Sequence, residues 1–176
     1  FTYTHSDTKL VEESWAVIHT DDIDAVSTHD HIIDAIFKRL NAVWKIKIVD
    51  SGYILGVKRI IERDDNGRMI AVEMSMPAFI QGMADSFADY IIDASIGTPF
   101  PEKCKLSKTD ATDSSEIERV KALGFQRAVG MILWAVRHVF PEGKHGCSQL
   151  CSMMAVPTDQ AFKCAMHMIT YMLQRK

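Results

Sequence analysis

No apolar run in the chain approaches the roughly 20 residues needed to cross a bilayer, and no signal-peptide pattern occurs in it. A membrane is therefore not expected among its partners. Basic excess is missing too: 20 Lys and Arg stand against 23 Asp and Glu, a net charge of −3. That leaves no electrostatic footprint of a stand-alone nucleic-acid binder. The four cysteines, Cys104, Cys147, Cys151 and Cys164, form no C-x-x-C pair, so a reduced intracellular protein is expected and not a disulfide scaffold. Internal repeats and low-complexity segments are absent. The chain does not begin with methionine and reads as a piece of something longer. What is present is an ordinary globular mixture, 47% apolar and 24% charged over 176 residues. That is enough for one compact domain, or two small ones, with a buried core.

The most informative stretch is His19-Thr20-Asp21-Asp22, preceded by Trp15-Ala16-Val17-Ile18 and followed by Ile23, Ala25 and Val26. This pattern predicts two antiparallel strands, buried on either side of a tight turn that carries paired carboxylates. Such a turn suits a divalent cation, which prefers oxygen ligands, although adjacent aspartates are common on any surface. Asp24 is the odd member, a charge in the middle of an otherwise apolar strand. Thr28 and Asp30 then supply helix-start chemistry, and Ile32, Ile33, Ile36, Phe37 and Leu40 recur at helical spacing. Trp44, Ile46 and Ile48 alternate with Lys45, Lys47 and Val49, the period of a half-buried strand. Tyr53 to Ile61 reads as the next strand, with Gly56 inside it marking a bulge or a close approach of another backbone or a ligand. Asp64-Asp65-Asn66-Gly67 makes a turn, and Met69 to Met76 returns.

Pro77 fits the first position of a helix whose apolar residues continue until Gly97. Thr98-Pro99-Phe100-Pro101 is extended, and the polar stretch to Ser114 is the expected separation between two subdomains. Ser115-Glu116-Ile117-Glu118 has the form of a capping box and opens a helix carrying Val120, Leu123, Val129, Ile132, Leu133 and Val136, with Gly124 and Gly130 as points of break or kink. A short helix around Cys147 to Met154 and a last one from Asp159 complete the chain. Strands with one packed helix followed by a helical tail make the fold class α+β, not a doubly wound sheet. In the tail, His145, Cys147 and Cys151 match no compact zinc motif, and the plain reading of the cysteines is burial on helix faces. The Met-rich run from Cys164 to Met172 reads as packing surface, against a part of the protein outside this chain.

Several segments, in this order, resemble the reverse transcriptase of copia-type LTR retrotransposons. His5-Ser6-Asp7 resembles the Ser-Asp that opens the strand before the catalytic box, and His19-Thr20-Asp21-Asp22 stands where the family has Tyr-Val-Asp-Asp. Lys38-Arg39-Leu40 is similar to the end of the following helix, and Tyr53-Ile54-Leu55-Gly56-Val57 to the Phe-Leu-Gly-Ile strand. Pro77 to Phe87, Thr98-Pro99, the run Phe125 to Trp134, Ser148-Gln149-Leu150 and Pro157-Thr158 follow where that family has its counterparts. The resemblance covers nearly the whole chain.

It implies an antiparallel palm-type sheet with a packed helix over residues 1–76, and a helical thumb and connection region over 77–176 with a polar loop at about 98–114. The implied function is a fragment of an RNA-directed DNA polymerase, a nucleotidyltransferase cut from a polyprotein, with neither the fingers nor the RNase H domain. Asp21 and Asp22 would be its catalytic and metal-binding pair, holding Mg²⁺ or Mn²⁺ for two-metal nucleotidyl transfer. Leu55 and Gly56 would approach the primer strand, with Lys45, Lys47, Lys58 and Arg59 as the basic residues near nucleic acid; solvated strand faces are the alternative for these four. An RNA/DNA hybrid or primer-template, a deoxynucleoside triphosphate and the rest of the polyprotein would be the partners. The setting would be a cytoplasmic virus-like particle or the nucleus. The isolated chain is expected not to polymerise, because the family takes another aspartate from a strand far upstream. Departures from the pattern are His19 for tyrosine, Thr20 for a small apolar residue, Asp24 for an aliphatic one and Phe140 for an arginine. They leave a second function open: a domesticated or decayed palm and thumb module that binds or scaffolds without catalysis.

Overall fold

A computed structural model describes residues 2–4, 11–19, 22–27, 29–47, 52–108 and 113–176. The fold is mixed α and β with small antiparallel sheets. Its strands are β1 (Thr2–Thr4), β2 (Val11–His19), β3 (Asp22–Ser27), β4 (Tyr53–Ile54), β5 (Val57–Arg63) and β6 (Met69–Ser75). Its helices are α1 (Asp30–Val43), α2 (Pro77–Asp85), α3 (Ser114–Ala122), α4 (Phe125–His138), α5 (Lys144–Ser152) and α6 (Asp159–Leu173). The strands form two three-stranded sheets, β1-β2-β3 and β4-β5-β6. Two compact units emerge, Phe1–Ala71 and Val72–Lys176. The polar stretch expected to separate subdomains therefore lies inside the second unit. Among the described residues no helix is long and apolar enough to cross a membrane.

In the first unit, β2 and β3 pair antiparallel from Ser14↔Ser27 to His19↔Asp22, as the flanking apolar runs predict. Burial does not follow: Trp15 (57% exposed), Val17 (64%), Ile18 (69%) and Val26 (62%) stay open, while Ser14 is buried. With one helix and the β4–β5 hairpin beside the β1-β2-β3 sheet, the unit has too little second layer to cover both faces. α1 forms where its period predicts, yet none of its residues is buried. The strand expected from Trp44 is replaced over 45–47 by irregular chain. The Trp44 amide donates to the Leu40 carbonyl at 2.8 Å and the Ile46 amide to Asn41 Oδ1 at 3.3 Å, so these donors turn back on the helix end instead of entering a ladder. Ile48 and Val49 lie outside the described residues.

The second unit holds the core. α6 is buried on nearly all sides, through Phe162, Cys164, Ala165, Met166, Met168, Ile169, Thr170, Tyr171 and Met172, with α2, α3, α4 and α5 packed against it. The Met-rich run is thus the centre of its own unit, which corrects its reading as an outward packing surface. Met is suited to that place because its unbranched side chain fills irregular gaps. The long helix expected to reach Gly97 stops at Asp85: Ser86 Oγ donates to the Gly82 carbonyl at 2.8 Å, and one 3₁₀ turn, Ala88–Tyr90, follows. The helix expected from Ser115 is two helices, because Gly124 takes the left-handed conformation (φ 86) between them. Gly130 stays inside α4. The cap is also displaced, since Asp113 Oδ1 accepts from the Ser115 amide at 2.8 Å while Glu116 accepts from the Asp159 amide at 2.7 Å. The start of α6 agrees with its sequence signal: Thr158 Oγ1 accepts from the Ala161 amide at 3.2 Å.

Candidate functional site

Alternation along β3 sets Asp22, Asp24 and Val26 on one face, and two of these side chains meet the β4–β5 hairpin. Tyr53 pairs with Lys58 and Ile54 with Val57, leaving Leu55 and Gly56 as a two-residue turn. Both have positive φ, 53 and 76, the pattern of a type I′ turn whose twist matches the flanking strands. Gly56 is therefore a turn residue and not a bulge in a continuous strand. Its preference for left-handed backbone is the property that breaks the strand here.

Asp22 Oδ2 accepts from the Leu55 amide at 3.3 Å, an N–H that the turn itself leaves unused. One residue pair further along, Asp24 Oδ2 receives Arg59 Nη1 at 2.7 Å, with the two side chains 33% and 22% exposed. A charge-assisted bond at this partial burial is stronger than an open surface pair. The Arg59 amide also donates to the Gly52 carbonyl at 2.6 Å, and Val57, on the same face of β5 by alternation, is buried. The acidic face of β3 thus grips the hairpin turn by its backbone at one point and by a guanidinium at the other. This accounts for the charge in mid-strand: Asp24 faces Arg59, and an aliphatic residue there would strand the guanidinium without that partner.

Of the residues expected in the site, Asp22, Leu55, Gly56 and Arg59 come together. Lys58 is half-buried in β5 on the opposite face to Arg59, and Lys45 and Lys47 are exposed in the irregular chain after α1. Asp21, with Thr20, lies outside the described residues. Asp24 was expected only as an anomaly, and its charge was the one signal that pointed to a half-buried cationic partner. Among the described residues no group of three or more His, Cys, Asp or Glu converges so as to hold a metal ion. Asp22 keeps Oδ1 clear of the Leu55 bond and is an exposed, hard oxygen donor of the kind Mg²⁺ takes.

In the tail, Cys147 and Cys151 lie one turn apart on α5 with their sulfurs 4.0 Å apart. Burial pushes the Cys147 thiol up to about 12, which disfavours the thiolate that zinc requires. Comparison with protein-family models, curated proteins and solved structures returns no match.

Proposed function

We propose that this chain is the C-terminal palm segment, with thumb and connection region, of a copia-type RNA-directed DNA polymerase. The ordered motifs from His5-Ser6-Asp7 to Pro157-Thr158 support the reading at the level of sequence. The observation that carries it is the bond between Asp22 and the Leu55–Gly56 turn, since it joins an aspartate of the acidic pair to the two residues that, by the resemblance, would approach the primer strand. Asp21 and Asp22 would hold Mg²⁺, or Mn²⁺, and the ion supplies charge neutralisation at the reacting phosphate. The protein's own work is positional. Asp22 holds the hairpin turn through Leu55, Arg59 fixes the hairpin to β3 through Asp24, and Gly56, with nothing within 4 Å of an added Cβ, leaves room for a sugar-phosphate backbone. Contacts of that type position a duplex without reading its sequence.

A second reading, a non-catalytic palm and thumb module, is favoured by the structural use of Asp22, which is engaged by the Leu55 backbone amide. Primer extension on an RNA template by the longer protein that carries this chain separates the two. Extension that requires Mg²⁺ or Mn²⁺ and is lost in Asp21→Asn is the expected result. An intact parent that extends no primer overturns the catalytic reading. The isolated chain should bind Mg²⁺ weakly at most, since a single carboxylate cluster cannot complete an octahedral site.

A further inference from the structure

One side of α6 and its C-terminal cap carries Gln160, Cys164, His167, Thr170 and Gln174 at three- and four-residue intervals, and it receives the irregular chain between Ile92 and Cys104. The Ile92 amide donates to Thr170 Oγ1 at 3.1 Å, and the Ile96 amide to Gln174 Oε1 at 2.9 Å. The chain then doubles back: His167 Nε2 lies 2.9 Å from the Thr98 carbonyl oxygen, and Phe100 sits over Gly146, where an added Cβ would come within 2.6 Å of its ring. A final turn, with the Cys104 amide donating to the Pro101 carbonyl at 3.3 Å, brings the Cys104 sulfur to 3.0 Å from that of Cys164. Gln160 Nε2 donates to both, at 3.5 and 3.7 Å. None of the functions considered above uses this pair.

We propose that Cys104 and Cys164 form a reversible dithiol–disulfide site, oxidised by peroxide and reset by a dithiol, which locks the Ile92–Cys104 chain onto α6. The sulfurs need to approach by only about 1 Å to reach a bond length of about 2.0 Å. Access sets the order of events. Cys104 is half-buried and meets the oxidant, whereas Cys164 is buried, so that it reacts only with the sulfur 3.0 Å away, in the second step. In the first step the Cys104 sulfur attacks the peroxide, an S–O bond forms, the O–O bond breaks and one water leaves. In the second the Cys164 sulfur attacks the sulfenic sulfur, an S–S bond forms, the S–O bond breaks, and the thiol proton leaves with the hydroxyl as a second water. Two thiols lose two electrons and the peroxide gains them. Gln160 holds both sulfurs in line from one turn earlier on α6.

Cys147 and Cys151 provide the internal contrast. Their sulfurs are 4.0 Å apart on consecutive turns of one helix, so a bond between them would distort α5. The test treats the fully reduced chain with hydrogen peroxide, blocks remaining thiols with an alkylating agent after unfolding, and maps peptides by mass spectrometry. The expected product joins the Cys104 and Cys164 peptides with the loss of two hydrogens, leaves Cys147 and Cys151 alkylated, melts at a higher temperature than the reduced chain, and reverts with dithiothreitol. Cys104→Ser, whose folding is checked by circular dichroism, should form no internal disulfide, and Cys164→Ala should repeat that loss. A bond between Cys147 and Cys151, an internal disulfide that persists in Cys104→Ser, or four alkylated thiols after peroxide treatment overturns the proposal.

Discussion

Leu55 holds a left-handed backbone at φ 53, a conformation that costs an L-residue with a Cβ roughly 1–2 kcal/mol. The hairpin tolerates it because Asp22 takes its amide and because Gly56 completes the I′ turn without penalty. Leu55→Asn should therefore raise stability by about 1 kcal/mol, since Asn-Gly is the preferred pair for this turn, and urea unfolding is the measurement. An unchanged midpoint would mean that the turn relaxes in solution. The sequence marked Gly56 as special but misjudged why, because the apolar pattern on both sides runs on as if the strand were continuous. Nothing in a leucine's identity announces positive φ. Asp24 and Arg59 were each legible as unusual, one as a misplaced charge and the other as a basic residue to watch. Their pairing across 35 residues depends on the hairpin folding onto β3, which no local pattern encodes.

At the level of elements, the helices of the second unit follow their start signals closely and their stop signals poorly. α6 begins at Asp159, as Pro157-Thr158 indicates, and the Thr158 hydroxyl satisfies an otherwise unbonded helix amide. Because Thr158 is buried, water cannot replace that bond. Thr158→Ala should cost about 1–2 kcal/mol, read as a lower thermal midpoint; a loss below a few tenths would show that the cap is not needed. The early end of the apolar stretch after α2 has a different origin. Beyond Asp85 the apolar residues keep a helical period, yet the amides of Ile92 and Ile96 are taken by the side chains of Thr170 in α6 and of Gln174 just after it. Where a distant acceptor competes with the carbonyl four residues back, the local period loses its authority.

The whole molecule has two units with unequal cores. Val72–Lys176 buries a continuous set of apolar side chains around α6, whereas Val57 is the buried apolar residue among those described in Phe1–Ala71. Hydrophobic stabilisation scales with the area removed from water, about 25 cal/mol per Å². A fragment comprising Met69–Lys176 should therefore melt cooperatively on its own, while Phe1–Ala71 alone should unfold without a sharp transition and bind a hydrophobic dye. A cooperative melt of the isolated first unit would contradict this account. The proposed polymerase reading is consistent with the contrast, because it assigns the remainder of the palm to a longer protein.

The sequence by itself determined the order and type of most elements: the two arms of the acidic hairpin, α1, the Asn-Gly turn before β6, and the helices that start at Pro77, close to Ser115 and after Thr158. Caps, turn dipeptides and apolar periods act over a few residues, so they are readable from a few residues. The tertiary structure decided what those elements bury and what meets across the chain. It placed the Met-rich helix at the centre of a unit, left the strands around the acidic turn open, paired Asp24 with Arg59, and brought Cys104 to Cys164. Burial and long-range pairing depend on which surfaces close over which, and that is a property of the assembled fold.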